Sequence, residues 1–216
     1  DKPVSASYVR ELIKEGKMEE VKRLVPKTTY DFLISDEAKD IIERIKGWFS
    51  TLIDNDLMNK ILEDREKRYN EVLNLIDRTG NIAVCGKVNY PGVDKCNPYI
   101  QKAFEILKGV LLTSFKIDDY AVLKGYDGPA VIFSLNLKAF NAKKAAVKIE
   151  EEHPLGRIFD IDVYRIDGSP VSRTELDLPY RKCIICGKNA KVCVRQRAHD
   201  INEVIGKINS MIENYW

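Results

Sequence analysis

The sequence predicts an α+β protein: a mixed sheet with flanking helices, preceded by an N-terminal all-helical extension. Three observations carry this. Apolar residues between Ala38 and Ile76 recur at helical spacing. From Ile82 onward, short β-branched runs alternate with helical stretches. No GxGxxG and no P-loop joins a strand to a helix, so neither dinucleotide nor Walker-type binding is indicated.

Residues 1 to about 33 read as two short helices, with Ser7 as N-cap, Gly16 closing the first and Pro26 stopping the second. Ala38, Ile41, Ile42, Ile45, Trp48, Phe49, Leu52 and Ile53 form the apolar face of an amphipathic helix. After a polar break at Asp54, Asn55 and Asp56, another runs from Leu57 towards Gly80. Its inward residues are Met58, Ile61, Leu62, Tyr69, Val72, Leu73 and Ile76. Ile82–Val88 is a strand, followed by a turn at Tyr90, Pro91 and Gly92. Asn97 and Pro98 are an N-cap and first-turn pair opening a helix to about Leu112. Ala121–Lys124 and Ala130–Leu137 are strands joined through Tyr126, Asp127, Gly128 and Pro129. A helix from about Ala142 to Glu152 stops before Pro154, and Arg157–Arg165 is a strand closed by the Asp167–Gly168 turn. The terminal helix starts at Asp200 and buries Ile201, Val204, Ile205, Ile208 and Ile212.

At 216 residues the chain can hold one good-sized domain, or a domain with an appended piece. The net charge of +2 means that affinity for anions has to come from local clustering. No apolar run approaches the ~18–20 residues of a membrane span, and no signal-peptide pattern opens the chain. Five cysteines without such a signal point to a reducing compartment, so the expected location is cytoplasmic, with no membrane partner. Because Asp1 opens it in place of Met, the chain is expected to be a fragment or a trimmed form.

The segment from His153 to His199 holds most of the chemistry. In a strand, residues i and i+2 share a face, so Asp160 and Asp162 point together while Phe159, Ile161 and Val163 point into the core. Adjacent carboxylates repel, and a cation resolves the repulsion. Mg²⁺ suits them, since it takes one or two carboxylates plus substrate phosphates. A strand with a wet outer face is the alternative, and D-x-D alone does not separate the two. Further on, Cys183 and Cys186 form a CxxC, followed by Cys193 and His199. These have the types of a Cys₃His zinc site; small buried thiols in a compact turn are the alternative, favoured by the irregular second pair. His199 is open between general base, metal ligand and core histidine, whereas His153 reads as structural. Six basic residues lie between Leu178 and His199 (Arg181, Lys182, Lys188, Lys191, Arg195, Arg197), with no acidic one. Arginine forks bind phosphate oxygens, so this is a candidate triphosphate clamp, with a solvated basic face as the alternative. Nucleic acid is not expected, because no aromatics are interleaved as stacking platforms.

The runs GNIAVCGKVNYPGVDKCNPYIQKAF, HPLGRIFDIDV and LPYRKCIICGKNAKVCVRQRAH resemble the apo-citrate lyase phosphoribosyl-dephospho-CoA transferase family, from about Leu57 to Trp216. The resemblance implies a nucleotidyltransferase-like fold. It also implies transfer of 2'-(5-triphosphoribosyl)-3'-dephospho-CoA to a serine of the citrate lyase acyl-carrier (gamma) subunit, releasing pyrophosphate. Carried over by position, Asp160 and Asp162 are the Mg²⁺ carboxylates, and Asn89, Pro91, Gly92 and Lys95 form an N-x-P-G-x-x-K loop. Candidate catalytic residues are thus Asp160, Asp162 and His199. Candidate substrate ligands are Asn89, Lys95, Arg157, Arg181, Arg195 and Arg197, and a candidate Zn²⁺ set is Cys183, Cys186 and Cys193.

The opening run VSASYVRELIKEGKMEEVKRLVPKTTYDFL resembles the C-terminal end of citrate lyase ligase, where Ser5, Ser7 and Arg10 would fall in a phosphate motif at a helix N-terminus. That enzyme needs an HxGH motif, and the histidines here are His153 and His199, so this chain is not a working ligase by that route. Ser5, Ser7 and Arg10 then read as capping and surface residues. The expected organisation is ligase-like helices over 1–35, a helical linker over 36–56 and a transferase domain over 57–216, as in a fused ligase–transferase polypeptide. Two other functions fit the same residues. One is a non-enzymatic, zinc-stabilised module that docks on the acyl carrier; the other is the same chemistry on a malonate decarboxylase carrier.

Overall fold

The structure, a computed structural model, describes residues 6–39, 42, 55–117 and 119–215. The chain divides into two compact units, Asp1–Asn55 and Asp56–Trp216. In the first, α1 (Ala6–Lys14), α2 (Met18–Leu24) and α3 (Lys27–Leu33) enclose Leu12, Ile13 and Val21. Three helices stand where two were expected. Pro26 ends α2, but its φ of −55° also suits the start of α3. Arg10 is exposed; Ser5, the side chain of Ser7 and, apart from Ile42, the expected apolar face from Ile41 to Ile53 lie outside the described residues.

The second unit runs α4 (Asn55–Thr79), β1 (Ile82–Val88), α5 (Pro98–Ser114), β2 (Tyr120–Leu123), β3 (Ala130–Leu135), α6 (Ala139–Glu152), β4 (Phe159–Tyr164), α7 (Ala190–Gln196) and α8 (Ile201–Glu213). The α+β class holds, and the helices flank a four-stranded sheet of order β2-β3-β1-β4. Every strand pair is antiparallel, a correction to the expected mixed sheet. The reason is topological: β-α-β-β-α-β with this order is the split βαβ arrangement, in which each helix-linked strand pair is separated by a third strand.

One sheet face carries Ile82, Val84, Val131, Phe133, Leu135, Phe159, Ile161 and Val163 beneath α5, α6 and α8. The other carries Ala83, Cys85, Ala130 and Ile132 beneath Val72, Leu75 and Ile76 of α4. Met58, Leu62 and Tyr69, expected inward, are exposed. A helix of 25 residues is ~37 Å long, whereas four strands span under ~20 Å, so only part of α4 can cover the sheet. Ile201 is also exposed, and α8 is anchored instead by Ile208 and Ile212. Helix α7 was not expected; Asn189 caps it, accepting from Lys191 N at 3.0 Å.

Strand β4 lies at the edge of the sheet, yet its outward backbone groups are covered. Glu150 accepts from Ile161 N at 3.0 Å, Lys143 donates to Ile161 O at 2.9 Å, Arg181 donates to Phe159 O, and Val171 N donates to Val163 O at 2.8 Å. A capped edge does not recruit another strand.

Candidate active site

Alternation along β4 sends Phe159, Ile161 and Val163 into the core and leaves Asp160, Asp162 and Tyr164 on the α4 face. Strand register sets Lys87 beside Asp160 and Cys85 beside Asp162. Lys87 Nζ lies 3.8 Å from Asp160 Oδ2, and Arg181 Nη1 lies 3.1 Å from Oδ1. Asp162 makes no ion pair within 4.0 Å among the described residues. Burial holds its carboxyl above the usual carboxylate range, Asp160 pushes it further, and Lys143 and Lys87 oppose them. Burial also pushes the neighbouring Cys85 thiol up to about 12, so it is neutral and a poor nucleophile. One carboxylate is therefore held in ion pairs, while the other has none within 4.0 Å among the described residues and feels Lys143 and Lys87 only at longer range.

A cleft of about 450 Å³ opens at the β4 edge, a size that takes a small-molecule ligand. Its lining cations are Arg157, Arg173, Arg181 and Lys182, against two carboxylates, Glu150 and Glu151, an excess of two positive charges. Glu150 is buried and pairs with Arg173, while Arg181 Nε lies 4.0 Å from it. Arg157 Nε donates to the Lys182 carbonyl. Arg181 thus touches both the cleft and Asp160. His153 also lines the cleft but is held structurally: Leu155 N donates to its Nδ1 at 3.0 Å, and its ring stacks 4.9 Å from Phe159. The H-P-L-G turn needs its glycine, because a Cβ on Gly156 would meet Ile149 O at 2.5 Å and Glu150 O at 2.6 Å. That close turn brings α6, with Glu150, directly onto β4.

The loop after β1 leaves the sheet one residue beyond Val88. Asn89 is exposed, its N–H donating to Ile158 O at 2.7 Å. Lys95 is half-buried and donates to the Tyr90 carbonyl; burial lowers its ammonium, with Asp127 opposing and Lys87 adding to the effect. Asp127 is itself buried between Arg65, at 3.2 Å, and Arg68, at 2.8 Å.

Three of the five cysteines gather elsewhere in the unit. A bridge between Lys182 and Asn189 closes a short hairpin, with Cys183 N donating to Lys188 O at 2.6 Å and Gly187 at φ 71°. Cys183 and Cys186 sit on it, and α7 supplies Cys193. Arg197, in the left-handed region at φ 49°, ends α7 and turns the chain towards His199. The four ligand atoms all lie within 4.8 Å of one another, a group that could hold a metal ion. Cys186 Sγ is 3.6 Å from Cys193 Sγ and 3.3 Å from His199 Nε2, and the cysteines are free thiols.

Residues 57–215 match the family described as apo-citrate lyase phosphoribosyl-dephospho-CoA transferase. A protein from Vibrio cholerae named "Probable apo-citrate lyase phosphoribosyl-dephospho-CoA transferase" is 31% identical over 164 residues, 73% of this chain and 92% of that protein. The chain belongs to this transferase family. "Protein CitXG" of Haemophilus influenzae is 32% identical over 173 residues, 77% of this chain but 37% of that longer protein. An Escherichia coli "Apo-citrate lyase phosphoribosyl-dephospho-CoA transferase" is 32% identical over 100 residues, 46% of this chain and 55% of that protein. Residues 1–33 match the citrate lyase ligase C-terminal domain. Among the described residues, no helix is long and apolar enough to cross a membrane.

In this family member, Asp160 and Asp162 share one face as expected from strand alternation, and Arg157 and Arg181 meet at the cleft. Arg195 and Arg197 do not line it; both are exposed at the end of α7. His199 stands with the cysteines. Sequence reasoning missed Lys87, Lys143, Glu150 and Arg173. Lys87 has the right parity in β1 to face Asp160, but only the register between strands says so.

Proposed function

We propose that this chain transfers 2'-(5-triphosphoribosyl)-3'-dephospho-CoA to a serine of the citrate lyase acyl-carrier (gamma) subunit, releasing pyrophosphate. The observation that carries this reading is the Asp160–Asp162 pair beside a cationic cleft, joined to it by Arg181, in a chain of this family. The serine Oγ bonds the phosphorus nearest the ribose as the bond to pyrophosphate breaks, and the hydroxyl proton is released to solvent. Arg157, Arg181 and Lys182 bind and orient the phosphates from the cleft side, where Arg forks suit phosphate oxygens. Asn89 and Lys95, on the loop after β1, do not line the cleft, and their part in this reading is to contact the substrate beyond it.

Asp160 and Asp162 fit Mg²⁺, because they offer oxygens on one face and Asp162, mostly buried, makes no ion pair within 4.0 Å among the described residues. Asp160 and Asp162 would hold the ion, which would supply polarisation of the phosphoryl group and charge neutralisation for the pyrophosphate. The Cys₃His cluster suits Zn²⁺ by its soft donors. On this reading residues 1–35 belong to a ligase-like domain and 57–216 to the transferase, and the transfer takes place in the cytoplasm, with neither nucleic acid nor membrane as a partner.

The test is a mass increase on the apo carrier when the triphosphoribosyl precursor and Mg²⁺ are supplied. Wild-type rates in Asp160→Asn or Asp162→Asn would sink the metal assignment. Equal modification of a malonate decarboxylase carrier would widen the substrate. Stoichiometric zinc with no transfer would favour the carrier-docking module.

A further inference from the structure

We infer that Cys183, Cys186, Cys193 and His199 hold one Zn²⁺ whose role is to fix the Tyr180–Lys182 wall of the cleft, and with it Arg181. The geometry supports the ion first. In a tetrahedron with Zn–S of ~2.3 Å and Zn–N of ~2.0 Å, ligand atoms stand about 3.5–3.8 Å apart. Two of the six separations, 3.6 Å and 3.3 Å, are close to that edge length, and all six are within 4.8 Å. Backbone N–H groups of Cys186 and Ile185 point at the Cys183 sulfur, on the same turn that carries both thiols of the C-x-x-C. Three thiols and an imidazole are soft donors that select zinc over a hard cation.

The hairpin's own packing gives the ion a task. Helix α7 has seven residues, too few to persist alone, and buries only Cys193, while Val192 and Val194 are exposed. A segment with so little apolar burial needs another tie to stay ordered. Yet the residues just before Cys183 make the site's most directed contacts. Arg181 reaches Asp160 at 3.1 Å and the Phe159 carbonyl, and the Lys182 carbonyl receives Arg157 Nε. Arg181 O is in turn bonded by Ala190 N at 2.9 Å, across the base of the metal-holding hairpin. An ion that closes the hairpin therefore holds Arg181 in register with Asp160, which β4 fixes independently.

This role rests on the cleft's binding the substrate phosphates, so the experiment separates the two. The full chain, dialysed against metal-free buffer, should retain about one zinc per chain; a content below ~0.2 overturns the metal site. Calorimetry with inorganic triphosphate in Mg²⁺ buffer then reads the cleft. Stripping zinc from the wild type should weaken triphosphate binding roughly tenfold or more, and adding zinc back should restore it. Arg181→Ala should keep its zinc, lose binding to the same extent, and lose nothing further when stripped, since the two changes act through one contact. Additive losses, or unchanged binding in the stripped wild type, overturn the positioning role. A zinc-loaded wild type that binds no triphosphate overturns the cleft assignment itself, and the positioning role with it, while leaving the zinc site standing.

Discussion

The two candidate metal sites of the second unit are built in opposite ways. Asp160 and Asp162 ride on a strand whose inner edge is laddered to β1 and whose outer edge is capped by Glu150, Lys143 and Arg181. Phe159, Ile161 and Val163, fully buried, anchor the same strand from beneath. The cysteine cluster rides on a hairpin and a seven-residue helix with one buried residue. The contrast teaches what an ion would do at each place. The strand site is rigid without one, so a cation there would serve chemistry. The hairpin brings its ligands together but has little else to hold it, so a cation there would serve structure.

The largest expected effect breaks the strand site alone. Asp160→Asn or Asp162→Asn should lower transfer on the order of 10³-fold, with an unchanged circular dichroism spectrum, as the loss of an electrostatic catalytic group does. Next, removing metal from the cysteine cluster should speed amide exchange across residues 181–199 by about 10²-fold while β4 amides stay protected, since local opening tracks local stability. Uniform protection in both segments would erase the contrast. A smaller effect is expected at the junction. Arg157→Ala should raise KM for the triphosphoribosyl precursor roughly tenfold and leave kcat within a few-fold, the size of a charge-assisted hydrogen bond lost from binding.

The smallest effect has the opposite sign. The folded-state pKa of Asp162 lies above its unfolded value, so the fold favours the protonated form. Its contribution is present below the unfolded pKa and lost as pH rises through the folded one, which makes Asp162 destabilising at neutral pH. Asp162→Asn should therefore stabilise the metal-free protein by roughly 0.5–2 kcal/mol at pH 7, seen as a raised Tm, with the gain disappearing near pH 3. Mg²⁺ should narrow the difference by binding the wild type. A destabilised variant at pH 7 would mean that Lys143 and Lys87 outweigh the effects of burial and Asp160.

What could be read locally was read well. The Ile82–Val88 strand is found with those bounds, Asn97 accepts from Ile100 N at 3.0 Å as the expected cap, and Asp200 caps the last helix. Each depends on neighbours within four residues. The misreadings concern burial over distance: Met58, Leu62 and Tyr69 have helical spacing, but nothing in that spacing says which turns of α4 meet the sheet. Helix α7 was obscured because its one core-facing residue is a cysteine that also reads as a ligand.

The sequence by itself determined which side chains share a face. Period-two alternation compels Asp160 and Asp162 to point together once β4 is a strand, and the C-x-x-C spacing compels two thiols onto one turn. Which groups those faces meet was decided by the tertiary structure. Lys87 opposes Asp160 through strand register, Glu150 reaches Ile161 N through the Gly156 turn, and Arg181 reaches Asp160 from the base of the cysteine hairpin. Such pairings join residues 11 to 73 positions apart, where no local backbone preference acts and only packing of the whole unit sets the distance.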